Sequence, residues 1–165
     1  MNDDAAIRDA IIRAEAMGII IFTSASNSGV NESRAFPASM DRVLGVYAAD
    51  GHGNPGEMNP NPLSHRDDIS TLGVAIPSPL AEDELLADGT SFSTSIATAI
   101  TANILSLVEA CFGESEEDEA LRLRASGSDG MRLLFLKAAV PRVGYDYIYP
   151  HRVAKDRSTI DGVRD

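Results

Sequence analysis

The stretch from Ala5 to Thr23 limits the fold more than any other part of the chain. Ile7, Ala10, Ile11, Ala14 and Met17 fall on one stripe at helical spacing, which predicts a helix from Ala5 to Met17. Asp3 and Asp4 precede it, where acids suit the positive end of the helix dipole. Gly18 is a stop signal. Ile19-Ile20-Ile21-Phe22-Thr23 comes next with no polar alternation, the pattern of a parallel strand covered on both faces. Helix, tight turn and buried strand make half of an α/β unit.

The rest of the chain extends that pattern. Ser24 to Gly29 is polar and turn-forming, and Val43 to Ala48 predicts a second strand. Residues 50–68 are rich in Gly, Pro and Asn and read as loop. Ile69 to Ile76 is short and partly extended. Thr90 to Cys111 is the longest predicted helix, and its first two turns are almost all small residues. Glu114 to Glu119 is a solvated acidic run. Leu121 to Val140 has room for one or two further helices, and the residues from Val153 on read as a tail. The chain shows no internal repeat.

Composition narrows the function. The 165 residues suit one domain with a sizeable core, and 44% hydrophobic with 24% charged residues is globular usage. A formal charge of −11 opposes binding to nucleic acid or to an anionic membrane surface. Nothing approaches the roughly 18 apolar residues of a membrane span. Met1 to Ala10 is acidic and is not a signal peptide. Cys111 is the only cysteine, so no internal disulfide forms, and a reducing, cytoplasmic setting is favoured. Asn31-Glu32-Ser33 matches a glycosylation sequon and reads as ordinary loop. There is no acidic loop with ligand spacing, so no metal or cofactor is expected.

Two places carry chemistry. Asp88-Gly-Thr-Ser91 runs directly into the long helix, with Gly89 permitting a tight backbone and Thr90 or Ser91 able to cap it. Taken alone, Gly-Thr-Ser is more often a cap than a nucleophile turn. Asn27 lies just beyond the first strand, where an amide can reach the cleft outside the carboxyl end of a sheet. Taken alone, it is more often a turn residue.

The order of these pieces resembles the subtilisin-like serine proteases. "AAIRDAIIRAEAMGIIIFTSASNSG" (Ala5 to Gly29) is similar to the family's helix, strand and oxyanion-hole asparagine segment. Phe36-Pro37-Ala38 and "RVLGVYAAD" resemble its next loop and strand, and "DDISTLGVAI" the approach to the nucleophile. "DGTSFSTSIATAI" looks like the nucleophile turn and its helix. The likeness covers about residues 5–110. "DGMRLLFLKAAVPRVGYDYIYPHRV" is similar to the segment after this domain in some fungal intracellular members.

The resemblance implies an α/β fold: part of a three-layer subtilisin-like domain, with a mainly parallel sheet flanked by helices. It implies peptidase sequence over 1–111, an acidic linker over 112–120, a helical extension over 121–152 and a tail over 153–165. Ser91 matches the nucleophile, Asn27 an oxyanion donor, and Ser24, Ala25 and Ser26 one wall of the substrate side-chain pocket. A peptide or protein is the implied substrate.

The pattern also departs from the family. The chain has no Asp-Thr-Gly or Asp-Ser-Gly turn and no His-Gly-Thr motif. His52, His65 and His151 lack the family's context and read as solvated loop residues. Ser95 and Leu72 stand where proline is usual, and Ala99 where glycine is. The catalytic Asp and His are therefore expected upstream of this segment, and a parallel sheet lacking its first strands is expected to have an open edge. Two readings result: the rear part of a serine endopeptidase, or an inactive pseudoprotease fragment that binds or regulates. An unrelated hydrolase or nucleotide-binding domain is disfavoured by the absence of Gly-x-Ser-x-Gly and Gly-x-Gly-x-x-Gly.

Overall fold

The computed structural model describes residues 5–29, 32–63, 68–77, 85–111, 113, 115–149 and 152. Helix α1 (Ala5–Ala16) leads to strand β1 (Phe22–Ser24), then β2 (Leu44–Ala49) and β3 (Ile69–Leu72). A two-stranded ribbon, β4 (Ile76–Pro77) with β5 (Leu86–Ala87), precedes the long helix α2 (Thr90–Cys111). Helices α3 (Glu116–Ala125) and α4 (Ser128–Ala138) come next, then β6 (Ala139–Arg142) and β7 (Tyr145–Ile148).

The main sheet has the order β1-β2-β3-β7-β6. β1, β2, β3 and β7 run parallel, with Phe22 opposite Leu44, Tyr47 opposite Ser70, and Ile69 opposite Asp146. β6 pairs antiparallel with β7 at one edge.

Side-chain alternation along the strands separates two cores. Leu44, Val46, Ile69 and Ile148 face α2, α3 and α4, packing on Ile100, Ile104, Val108, Met131, Leu134 and Phe135. Phe22 joins that side, its ring 5.9 Å from Phe135. Ile21, one residue away, points the other way, to Ile11 of α1, Met40 and Val43. The helices thus flank both faces of the sheet, as the three-layer reading expected.

Four predicted features differ. A strand covered on both faces describes β2, where all six residues are buried, but not β1. β1 sits at the sheet edge and is half-buried, with Ile19 just before it 50% exposed. The reason is that only β2 pairs with it. Next, α1 ends at Ala16 and buries Ile11 alone. Third, Thr90–Ala110 is long and apolar enough to cross a membrane by length and composition. Its small residues and threonines hid that in the sequence, and its Ile100, Ile104 and Val108 pack on the sheet. Last, residues 121–152 are not wholly helical. Helix stops at Ala138, and Ala139–Ile148 is a hairpin that extends the main sheet. α3 begins within the acidic run, its first turn carrying Glu116 to Glu119 and capped by Ser115 Oγ, which accepts from the Asp118 N–H. The tail over 153–165 lies outside the described residues.

Candidate functional site

The carboxyl end of β1 and the start of α2 meet, and two residues make the junction. Asn27 Oδ1 accepts from the Thr90 N–H and from Thr90 Oγ1, both at 2.9 Å. The first N–H groups of a helix have no carbonyl of their own to bond. Here one is satisfied by a side chain from a different loop. The Thr90 N–H can only donate, so the atom it meets is the oxygen of the Asn27 amide. The amide NH₂ must then point away from Thr90. Asn27 Nδ2 lies 3.5 Å from where a Cβ on Gly89 would stand, a spot that the Phe92 ring also flanks at 3.6 Å, so the NH₂ lies beside Gly89.

Ser24 and Ser26 belong to the same cluster. Thr90 Oγ1 lies 3.0 Å from Ser24 Oγ and 3.3 Å from the Ser26 carbonyl. Ser26 Oγ donates to Ser28 Oγ. Ser24 and Ser26 are partly exposed, but Ala25 is fully buried, its methyl among Tyr47 and Tyr145. Ala25 therefore lends backbone, not side chain, to any surface there.

Ser91 is exposed in the first turn of α2, directly after Thr90. Its N–H is among those at the positive end of the helix, where negative charge is favoured. The turn before it is held by the Gly89 N–H donating to the Gly73 carbonyl at 2.8 Å. Gly73 sits under α2 so closely that a Cβ would stand 1.9 Å from Ser93 Oγ and 3.0 Å from the Gly89 carbonyl.

The structure brings Ser24, Ser26, Asn27 and Ser91 to one end of the sheet. His52 is elsewhere. Its carbonyl accepts from Tyr149 Oη at 3.5 Å, and the neighbouring Gly53 abuts Tyr147 and Arg142, which puts it at the β6–β7 side. His65 and His151 lie outside the described residues. Among the described residues, no group of three or more His, Cys, Asp or Glu side chains is placed to hold a metal ion.

Sequence reasoning missed a buried charged group behind the site. Arg34 and Asp68 are 8% and 2% exposed and pair at 2.5 Å, and Arg34 Nε donates to Tyr47 Oη at 2.9 Å. Burial alone would lower the Arg34 pKa, but Tyr47 and Asp68 outweigh it and the group sits above its ordinary value. Arg34 is a lone basic residue in a polar loop, and no spacing rule links it to Asp68.

No family model matches the chain. Among solved structures, it is similar to a mutant of the protease domain of PatA, at 21% identity and a TM-score of 0.72. That match covers 98% of this chain and 55% of the other. It is also similar to the prenylagaramide maturation protease PagA, at 21% identity and a TM-score of 0.68, over 92% of this chain and 55% of that one. The fold is that of a subtilisin-like protease domain. A third match is the PatG macrocyclase domain, at 22% identity and a TM-score of 0.66, covering 99% of this chain and 48% of that one. The chain therefore spans about half the length of the solved structures it matches.

Proposed function

We propose that the chain is the serine-bearing part of a subtilisin-like serine endopeptidase domain. Ser91 Oγ attacks the scissile carbonyl carbon, and its proton passes through a base to the leaving amine. The oxyanion is held by the Ser91 N–H and Asn27 Nδ2, and water then hydrolyses the acyl-enzyme. Ser24, Ala25 and Ser26 border the substrate side chain, with Ala25 contributing backbone. The Asp and His come from polypeptide outside these 165 residues. The observation that carries this reading is the pair of hydrogen bonds from Thr90 to Asn27 Oδ1, which turns the Asn27 NH₂ away from Thr90.

The completing polypeptide docks along the free edge of β1. Support comes from the half-buried strand, the exposed Ile7, Ile12, Met17 and Ile19, and the matched structures of about twice the length. The alternative is a pseudoprotease module that keeps the fold for binding. It draws on the absence from this sequence of an Asp-Thr-Gly or Asp-Ser-Gly turn and of a His-Gly-Thr motif.

Sequencing the native transcript through its 5′ end separates the two. An in-frame upstream Asp turn and His-Gly-Thr motif supports the protease. A fluorophosphonate probe then labels Ser91 in the full product, and the Ser91→Ala variant does not react. A stop codon just ahead of Met1, or no labelling of a product with all three groups, sinks the catalytic reading in favour of the binding module.

A further inference from the structure

Ser26 has a backbone φ of 150°, a region that residues bearing a side chain rarely adopt. Such strain persists only where the surroundings over-determine it. On the C-terminal side the restraint is Asn27, fixed by Thr90. On the N-terminal side it is Ala25, whose backbone groups are both bonded. The Ala25 N–H donates to the Val46 carbonyl at 3.0 Å, and the Ala25 carbonyl accepts from the Ala35 N–H at 3.0 Å.

What holds Ala35 is the residue before it. Arg34 spreads its guanidinium over three partners: Tyr47 Oη, Asp68 Oδ1 and the Ala38 carbonyl. Asp68 is itself fixed, because Oδ2 accepts from the Leu63 N–H at 2.7 Å. Gly45 leaves room for the Arg34 stem, since a Cβ there would stand 3.4 Å from Arg34 Cδ. The pair with Asp68 matters most in this buried fork: without that carboxylate the guanidinium is an unmatched charge in the interior.

We propose that Arg34 is a positioning residue: with Tyr47 and Asp68 it anchors Ala35 against Ala25, keeps Ser26 strained and so aims the Asn27 amide. The anchor is a claim about geometry. Its consequence for catalysis rests on the oxyanion reading of Asn27, and the two fail separately.

The test uses the isotope-labelled full product of the native transcript with Arg34→Lys, which keeps the charge and loses the fork. Asp68→Asn is the second variant, should the first not fold. Amide exchange at Thr90 is read beside the Asn27 side-chain NH₂ signals and the thermal midpoint. Both variants are expected to speed Thr90 exchange about tenfold relative to other core amides, the scale of one lost hydrogen bond, and to shift the Asn27 signals. Adding Ser26→Gly, which removes the strain, is expected to restore both. A fall in midpoint alone, with Thr90 and Asn27 unchanged, overturns the proposal, as does failure of Ser26→Gly to rescue. Because no step needs turnover, an intact anchor with unlabelled Ser91 would sink only the protease reading.

Discussion

Thr90 donates twice to one atom of Asn27, from its N–H and from its hydroxyl, across 63 residues of chain. The same oxygen therefore caps a helix and orients an amide. These two duties are separable by substitution. Asn27→Asp keeps the acceptor and removes the NH₂. It should leave the urea midpoint close to wild type. In an active full-length protein it should cut kcat by about 10²–10³, the scale seen when a subtilisin loses such a donor. Asn27→Ala should lose both. Equal kcat for Asn27→Asp and wild type would remove Asn27 from the catalytic machinery.

Thr90→Val keeps the shape and the N–H but drops the hydroxyl donor. Thr90 is fully buried, so the loss should be about 1 kcal/mol in urea unfolding. Thr90→Ser should retain most of it. If valine is tolerated at no cost, the hydroxyl is not part of the junction.

Gly73→Ala places a methyl against Ser93 Oγ, the Ala48 side chain and the Gly89 carbonyl. Overpacking of this sort should cost about 1–3 kcal/mol. Ser93 Oγ is buried with no hydrogen-bond partner, so Ser93→Ala should be neutral or stabilising by itself. Combined with Gly73→Ala it should recover part of the loss. Strict additivity in the double variant would contradict the packing described.

Alkaline pH should weaken the fold through Tyr47. Burial pushes its hydroxyl up to about 12 from an ordinary value of 10.0, with Arg34 pulling the other way. The folded state then holds a proton that the unfolded chain releases. Stability is full below about pH 10 and falls between pH 10 and 12, by up to about 1.4 kcal/mol per pH unit for each such group. Burial raises Tyr145 and Tyr147 as well, so they steepen the same limb. Urea midpoints from pH 8 to 12 should show the fall, and Tyr47→Phe should flatten it.

Ile7, Ile12, Met17 and Ile19, in α1 and the turn that leads to the edge strand β1, are 46%, 41%, 78% and 50% exposed. The chain expressed alone should self-associate there. Met17→Glu with Ile19→Lys should shift light scattering toward the monomer. A wild-type chain that is monodisperse and unfolds cooperatively would contradict the open edge.

Local signals carried most of this fold. The stripe from Ile7 to Met17 and the apolar run from Thr90 to Cys111 marked α1 and α2 to within a residue, because each depends on its own spacing. The Asn27 and Ser91 positions were legible because each follows a strand or starts a helix. The hairpin of β6 and β7 was not. Its turn uses Val143 at φ 49° and Gly144 at φ 86°, and a β-branched residue there lacks the usual Asn-Gly signature. The Arg34–Asp68 pair was hidden for another reason: it depends on which strands lie side by side, and no local pattern encodes that. The edge placement of β1 likewise turns on what pairs with it, not on its own apolar residues.

The parallel pairing of Ile69 with Asp146 has a consequence in time. Everything from β4 to β6 lies between these partners, so β3 gains its second neighbour only after Tyr145–Ile148 has been made. Translation at about 5–20 residues per second leaves β1, β2 and β3 waiting for several seconds with apolar faces uncovered. Such long-range closure is slow even in a finished chain. The nascent polypeptide therefore keeps apolar surface uncovered until Ile148 has emerged. Until then Ser91 sits on a helix whose sheet still lacks β7 and β6.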